Sequence, residues 1–274
     1  MQTSKWRLIV SPAANGPYNM ALDEAILECV GERLSPPTLR LYTWEPPCLS
    51  LGINQTIADI DLQILAEKGW QLCRRPTGGR AILHTDELTY AVIGPDDDPL
   101  LHGSVLESYR RIAAALQNAL LILGLNAQAE KQYNLPQGAS PQAAVCFEAP
   151  SNYEITVAGK KIIGSAQARK AFSVLQHGSL PLAGDLTRIT EVVKYPDEST
   201  RRFAAVRLLE HAATVEMILG NPVSWQEAAS AFARAFKTTL GIELKPGSIS
   251  EKELERAATL LVEKHANQKW LAKQ

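Results

Sequence analysis

The 274-residue sequence lacks several features that would assign it to a specialised class of protein. Its four cysteines lie far apart, with no C-x-x-C pair and no Cys/His cluster at metal-ligand spacing, so neither a disulfide framework nor a zinc site is predicted. No apolar run reaches the roughly 18 to 20 residues that span a bilayer. The stretch MQTSKWRLIVSPAANG lacks the apolar segment of a secretory signal. We therefore expect a protein of the cytoplasm that holds no metal.

An excess of charge of either sign is also missing. The formal net charge is −1 and both signs are interspersed, so the sequence has no basic field that would attract phosphate backbones. Nucleic acid is therefore not predicted as a partner. The composition, 46% apolar and 21% charged, is instead typical of a folded globular chain with a sizeable core.

Strand-like and helix-like patterns alternate without a regular βαβ rhythm. Strands are predicted at 6–10, 38–44, 48–54, 70–75, 80–84, 88–94, 152–157, 160–167 and 173–182. The three runs between 70 and 94 are separated by short turns and predict an antiparallel meander. The pattern as a whole favours an α+β fold with a mixed, largely antiparallel sheet flanked by helices.

Helical spacing of apolar residues marks the remaining segments. A helix is predicted from about Asn19, and Cys29 lies on its apolar stripe and is expected to be buried. A long helix is predicted from Ser104 to near Gly124, and the chain turns helical again after about residue 185. Capping boxes are predicted at Ser104/Glu107, Ser224/Glu227 and Ser250/Glu253. No repeat or long linker divides the chain, so we expect one domain over 1–245 with a helical extension over 246–274 packed on it.

The first stretch that could carry chemistry is RRPTGGRAILH, residues 74–84. Gly78 and Gly79 permit positive φ and let a ligand lie against bare backbone N–H groups, while the two adjacent arginines point to opposite faces of a strand. No Gly-Lys-Ser/Thr opens a helix here, so the stretch is not a P-loop. The alternative is an ordinary β-turn with solvated arginines, in which His84 is a hydrogen-bonded structural residue.

The second stretch is KKIIGSAQ, residues 160–167. Lys161 shares a strand face with Ile163 and Ser165, and if that face meets a ligand, its ammonium can support an acyl group or a thiolate. The small residues at 164–166 are typical of a strand that something else passes closely. The alternative is a lysine solvated at a sheet edge.

The third candidate is Cys146, which follows a loop at 131–142 that is rich in Pro, Gly and Gln. A lone cysteine is usually an apolar filler. This one, however, stands fifteen residues before Lys161 and outside any helix stripe. A hairpin would pair Lys161 with Thr156, so the intervening segment must fold back to bring the thiol near the amine. Cys73 is the rival candidate nucleophile.

Four motifs in this order, RRPTGGRAILHTDELTYAV, VCFEAPSNYEI, GKKIIGSAQARK and LQHGSLPL, resemble the biotin/lipoate protein ligase superfamily. RRPTGG together with GSAQ is typical of the superfamily, and VCFEAP narrows the likeness to the LipM-type octanoyltransferases. The likeness covers nearly the whole chain. It implies a mixed sheet with flanking helices, like the catalytic core of biotin ligases and class II aminoacyl-tRNA synthetases.

The resemblance implies an enzyme of lipoate biosynthesis. Such an enzyme moves an octanoyl group from acyl carrier protein to a lysine of a lipoyl domain or of the glycine cleavage H protein. Cys146 would be the nucleophile that accepts the acyl group, and Lys161 the lysine beside it. The residues implied to line the channel for the acyl group and the carrier arm are Arg75, Gly78, Gly79, His84, Gly164, Ser165 and Ala166. A thioester is already activated, so neither ATP nor any other cofactor is expected.

Three alternatives stay open at the level of sequence. A relay amidotransferase of the superfamily would take octanoyl from one lipoyl-bearing protein and pass it to another. An ATP-dependent lipoate ligase would need no cysteine, although such ligases often append an accessory domain for which the short tail leaves little room. A non-catalytic module would only bind carrier proteins.

Overall fold

A computed structural model describes residues 4–130 and 154–272, with the main chain alone at 129 and 130. Cys146, the loop predicted at 131–142 and the first residues of the strand predicted from 152 lie outside the described residues. The roles predicted for them therefore stay predictions.

The described residues form strands and helices in a mixed order. The strands are β1 (Lys5–Val10), β2 (Thr38–Tyr42), β3 (Cys48–Leu51), β4 (Gln71–Arg74), β5 (Ile82–His84), β6 (Glu87–Pro95), β7 (Gln128–Glu130), β8 (Glu154–Val157), β9 (Lys160–Lys170), β10 (Ser173–Pro181) and β11 (Glu243–Pro246). The helices are α1 (Gly16–Gly31), α2 (Leu62–Glu67), α3 (Val105–Ile122), α4 (Glu198–His211), α5 (Val215–Leu219), α6 (Trp225–Leu240), α7 (Glu251–Leu260) and α8 (Gln268–Leu271). A 3-10 helix (Leu186–Glu191) precedes α4, and a π-helical turn (Leu261–His265) follows α7.

The main sheet of the described residues has eight strands in the order β11-β1-β2-β6-β10-β9-β8-β7. β1 runs parallel to β2 and to β11, and the other neighbours are antiparallel. β6 and β10 are buried at every position, as expected of central strands that are covered on both faces. The predicted fold class, a mixed and largely antiparallel sheet flanked by helices, is confirmed.

Helices cover both faces of this sheet. On one face, α3 and α6 bury Leu116, Phe232 and Phe236 against apolar residues of β6 and β10. On the other, α1 buries Met20 and Ile26, and α7 packs on the outer side of α1. The functional pocket described below lies on the α1 side.

A second sheet contradicts the predicted meander over 70–94. β4, β3 and β5 form a three-stranded sheet in that order, with β3 parallel to β4 and antiparallel to β5. The crossover through α2 permits the parallel pairing of β3 and β4, which a tight turn cannot connect. β6 leaves this sheet because its nine buried residues pair between β2 and β10 of the main sheet.

The helix starts follow local capping chemistry. α1 begins at Gly16, earlier than the predicted start at Asn19, because the side chain of Asn15 accepts a hydrogen bond from the backbone N–H of Tyr18. The predicted capping boxes at the starts of α3, α6 and α7 are all present. In the part of the chain that the structure describes, no helix has both the length and the apolar character needed to cross a membrane.

The C-terminal helices pack on α1 and β4. Arg74, at the end of β4, is fully buried and donates hydrogen bonds to the carbonyl oxygens of Trp270 and Leu271. Its guanidinium also donates to the carbonyl oxygens of Gly52 and Gln55. One arginine therefore connects the end of β4, the segment after β3 and the last helix.

Candidate active site

A pocket lies where the main sheet meets the three-stranded sheet. The structure brings together six of the seven residues predicted to bind substrate. The six that line this pocket are Arg75, Gly79, His84, Gly164, Ser165 and Ala166. The seventh, Gly78, precedes Gly79 in the turn between β4 and β5, and its carbonyl oxygen accepts hydrogen bonds from the guanidinium of Arg75.

Arg75 shapes the turn that carries the two glycines. Its side chain is buried and donates to the carbonyl oxygen and the hydroxyl of Ser50, at 2.9 and 3.0 Å. It also donates to the carbonyl oxygens of Gly78 and Arg80, at 3.0 and 2.7 Å. The alternative of solvated arginines is therefore wrong. As alternation along a strand predicts, Arg74 and Arg75 point to opposite sides, and only Arg75 faces the pocket.

Two glycines allow this turn to approach β3. A Cβ built on Gly52 would lie 2.0 Å from the carbonyl oxygen of Gly79, which no real contact permits. Gly79 itself has a φ of +92°, in the region that glycine adopts without strain. The turn therefore rests directly on the main chain that follows β3.

His84 is held in one orientation by three contacts. Its Nε2 lies 2.7 Å from the hydroxyl of Ser50, its Nδ1 lies 2.7 Å from a carboxylate oxygen of Glu87, and its ring stacks on Trp44 with centroids 4.0 Å apart. Glu87 also accepts a hydrogen bond from Thr89, and the indole of Trp44 donates to the same threonine at 2.7 Å. His84 therefore forms a well-anchored part of the pocket wall, the place that the family resemblance implies for it.

A second network of buried hydrogen bonds joins the turn to α1. The hydroxyl of Thr77 lies 2.7 Å from Nε2 of His177 in β10, and Nδ1 of His177 lies 3.4 Å from Asp23 in α1. Asp23 pairs with Arg40 of β2 at 2.6 Å and accepts a hydrogen bond from Tyr42 at 2.8 Å. All of these groups are buried.

The protonation states of the residues in this network follow from their burial and their pairing. Burial lowers the pKa of His177 although Asp23 opposes the shift, so the ring is neutral near pH 7. Burial alone would raise the pKa of Asp23, but the charge of Arg40 and the hydrogen bonds from His177 and Arg40 together hold that pKa below its usual range. A neutral ring beside a carboxylate carries its proton on Nδ1, so Nε2 accepts the hydrogen bond from Thr77.

The sequence analysis did not identify three residues of this network: Asp23, Arg40 and His177. Two of them carried a usable signal. Asp23 interrupts the apolar run of ALDEAIL, and Arg40 interrupts that of TLRLY, so each places a charge where its element should be buried. Opposite charges at two such positions indicate a buried ion pair, because an unpaired buried charge is strongly destabilising.

Lys161 lies in the hairpin as predicted but is not solvated. It pairs with Thr156 across β8 and β9, and its side chain is only 4% exposed. Its Nζ donates to a carboxylate oxygen of Glu154 at 2.8 Å. The alternative of a solvated edge lysine is therefore wrong. Lys161 does not line the pocket, which β9 reaches three residues further on, at Gly164.

The described cysteines are buried. Cys29 lies in the core of α1, as predicted from its apolar stripe. Cys73, the rival candidate nucleophile, is fully buried and does not line the pocket. Its neighbour Cys48 is also fully buried, and burial next to Cys73 raises the pKa of the Cys48 thiol well above its ordinary value. These thiols have the properties of core residues rather than of nucleophiles.

Comparison with known proteins identifies the family of the chain. Residues 15–237 match the family of the lipoyl protein ligase A/B catalytic domain, and the chain belongs to this family. The resemblance inferred from the four sequence motifs is therefore confirmed.

Within this class, the chain is similar to octanoyltransferases LipM. It is 38% identical over 275 residues to the octanoyltransferase LipM of Brevibacillus brevis, and the aligned region covers 97% of this chain and 98% of the relative. It is 41% identical over 273 residues to the one from Moorella thermoacetica, covering 99% of each. A solved bi-partite lipoate protein ligase from Thermoplasma acidophilum superposes with a TM-score of 0.81 at 27% identity, covering 100% of this chain and 98% of that one.

Proposed function

We propose that this protein is an octanoyltransferase that moves an octanoyl group from acyl carrier protein to a lysine of a lipoyl domain or of the glycine cleavage H protein. The full-length similarity to octanoyltransferases LipM supports this reaction. The observation that carries the proposal is the pocket at the meeting of the two sheets, which joins the RRPTGG turn to the GSA run of β9. We place the reaction in the cytoplasm, as the sequence predicts.

The pocket suits an acyl chain. Its lining combines apolar side chains with a few polar groups, which is the composition typical of small-molecule sites. Met20, Ile82 and Ala166 contribute apolar surface, and the polar groups of His84 and Thr89 are hydrogen-bonded to other protein groups. An octanoyl chain is apolar along its length and would be buried favourably here.

The proposed chemistry has two acyl transfers. The thiolate of Cys146 attacks the carbonyl carbon of the octanoyl thioester, an S–C bond forms, and the carrier thiol leaves. The amine of the acceptor lysine then attacks the new thioester, an amide bond forms, and the Cys146 thiolate is released. Because the acyl group arrives as a thioester, neither step requires ATP.

Lys161 is the residue that we propose to assist Cys146. A cation near a cysteine favours the thiolate, and the ion pair with Glu154 fixes the position of the lysine ammonium at the start of β9. In its neutral form, Lys161 is the proposed acceptor of the proton that the attacking amine must lose.

Mass spectrometry after incubation with octanoyl-acyl carrier protein tests the proposal. We expect a single octanoyl adduct that hydroxylamine removes, and we expect Cys146→Ala to abolish both adduct and turnover. The matched control is Cys29→Ala, which removes a core thiol away from the pocket. If Cys146→Ala keeps adduct and turnover, the nucleophile assignment is wrong. Lys161→Ala should slow the alkylation of Cys146 near neutral pH, and an unchanged rate would remove Lys161 from its activation.

A second candidate function is an ATP-dependent lipoate ligase, favoured by the similarity to the bi-partite lipoate protein ligase. Activity with free lipoate that appears only when ATP is added would support it. Supplying an octanoylated lipoyl-bearing protein as the donor, in place of acyl carrier protein, tests the relay amidotransferase in the same assay. Stoichiometric binding of the carrier without any covalent adduct would indicate a binding module.

A further inference from the structure

The hydroxyl of Ser179 is a buried polar group without a partner. Ser179 lies in β10, is 1% exposed and lines the pocket. Its Oγ has no hydrogen-bond partner among the residues that the structure describes. Buried polar groups in folded proteins are nearly always hydrogen-bonded, because leaving one unpaired costs folding free energy. An unpaired hydroxyl in a pocket wall therefore calls for a ligand.

The sheet register directs this hydroxyl into the pocket. Ser179 lies opposite Thr89 of β6 and opposite Gly164 of β9. Residues directly opposite each other in antiparallel strands share a face, and so do residues two apart in one strand. The side chains of Thr89 and His177 line the pocket, so Ser179 shares the pocket face with them. Gly164, on its other side, has no side chain to fill the space.

The other hydroxyls of the described pocket wall already have protein partners. Tyr42 donates to Asp23, and Ser50 contacts both His84 and Arg75. The hydroxyl of Thr89 donates to Glu87, and the list is completed by Ser165, whose hydroxyl lies 2.7 Å from that of Tyr90. Ser179 is therefore the hydroxyl of this wall that has no hydrogen-bond partner among the described residues.

We propose that Ser179 is a substrate-binding residue whose Oγ–H donates a hydrogen bond to the carbonyl oxygen of the bound acyl thioester. The inference rests on the proposed function, because it takes the ligand to be an acyl group. The hydrocarbon chain of such a group offers no hydrogen-bond acceptor, and its carbonyl oxygen is the atom that matches a donor. Ser179 then fixes how far the chain enters the pocket.

Two ligands that differ at this atom test the inference. S-octanoyl-N-acetylcysteamine carries the carbonyl oxygen, and S-octyl-N-acetylcysteamine has two hydrogens in its place. All titrations use proteins that also carry Cys146→Ala, so that no acyl group is transferred, and we expect the protein with Ser179 intact to bind the thioester more tightly than the thioether. Ser179→Ala should weaken thioester binding by roughly two- to tenfold, the range of one neutral hydrogen bond, and leave thioether binding unchanged. Calorimetric titration measures all four dissociation constants.

Thermal unfolding without ligand supplies the second readout. Ser179→Ala removes a buried hydroxyl that lacks a protein partner, so its midpoint should equal or exceed that of the wild type. The matched control is Ser173→Ala on the same strand, because the Ser173 hydroxyl donates to the carbonyl oxygen of Lys170 at 2.6 Å. This variant should lower the midpoint and leave the ligand preference intact.

The outcomes distinguish a wrong role for Ser179 from a wrong proposed function. If the protein with Ser179 intact binds the thioester and Ser179→Ala changes the affinity for both ligands equally, or for neither, the role of Ser179 is overturned and the proposed function stands. A lower unfolding midpoint for Ser179→Ala would likewise overturn it, since the hydroxyl would then have a protein partner. If the protein with Ser179 intact binds neither ligand, the acyl pocket itself is wrong, and the inference fails with it.

Discussion

Thr77 and His177 lie 100 residues apart in the chain, and a 2.7 Å hydrogen bond joins the threonine hydroxyl to Nε2 of the imidazole. The contact ties the glycine turn to the centre of the main sheet. Because His177 also contacts Asp23, and Asp23 pairs with Arg40, the position of the turn depends on a buried ion pair between α1 and β2.

Asp23→Asn should be strongly destabilising. The substitution removes the charge that balances Arg40, and breaking a buried ion pair typically costs about 3 to 5 kcal/mol. Urea unfolding measures the change in the free energy of unfolding. The control is Asp97→Asn, which breaks an exposed pair with Arg33 and should change stability far less. Equal losses in the two variants would contradict the role assigned to the buried pair.

Thr77→Val should loosen the glycine turn while the protein stays folded. Valine matches threonine in shape but leaves Nε2 of His177 without its donor, which we expect to cost about 1 to 3 kcal/mol of unfolding free energy. Acyl transfer at a temperature where both proteins are folded should fall by about tenfold, which corresponds to a barrier raised by roughly 1.4 kcal/mol. Thr259→Val, on the exposed side of α7, is the control. Unchanged transfer by Thr77→Val would show that the turn does not need this hydrogen bond.

Gly52→Ala and Gly78→Ala should distinguish an effect on protein stability from an effect on the binding of a ligand against the glycine turn. The new methyl at Gly52 would collide with the carbonyl oxygen of Gly79, so we expect lower unfolding free energy and lower activity. A methyl at Gly78 would have no neighbour within 4 Å among the residues that the structure describes, so stability should be kept. If a ligand lies against the turn, Gly78→Ala nevertheless lowers activity. Full activity of Gly78→Ala would argue against that approach.

The free energy of unfolding should depend on pH because of Glu24. Burial alone would raise the pKa of Glu24, but hydrogen bonds from His265, Lys264 and Lys170 and the charge of Lys264 hold it far below its ordinary value of 4.5. The carboxylate therefore contributes stability that is fully present above about pH 4.5 and is lost as the pH falls toward the folded-state pKa.

Glu24→Gln tests this dependence. The difference in unfolding free energy between wild type and variant should narrow as the pH is lowered below about 4.5, the unfolded-state value. Urea titrations at a series of pH values give both curves. Parallel curves through this range would show that the pKa of Glu24 is not lowered by folding.

Local features of the fold could be predicted because their causes lie close together in sequence. The β8–β9 hairpin and its pairing of Thr156 with Lys161 follow from a turn at 158–159 between two alternating runs. The capping boxes follow from Ser and Glu three residues apart. The opposite directions of Arg74 and Arg75 follow from strand geometry alone.

Features that depend on distant partners could not be predicted in this way. The division of 70–94 between two sheets depends on β3 entering between β4 and β5, and short turn signals say nothing about a third strand. The burial of Arg74 depends on the carbonyl oxygens of α8, almost 200 residues further along the chain. The neighbours of His177 come from α1 and from the glycine turn, far along the chain.

The contact between Gly52 and Gly79 is formed by main chain on both sides. A steric clash with a side chain can be relieved by a second substitution that shortens that side chain. A clash with a main-chain carbonyl oxygen cannot be relieved in this way. Substitutions at Gly52 should therefore have no second-site suppressors elsewhere in the pocket, and random mutagenesis followed by selection should recover only revertants to glycine there.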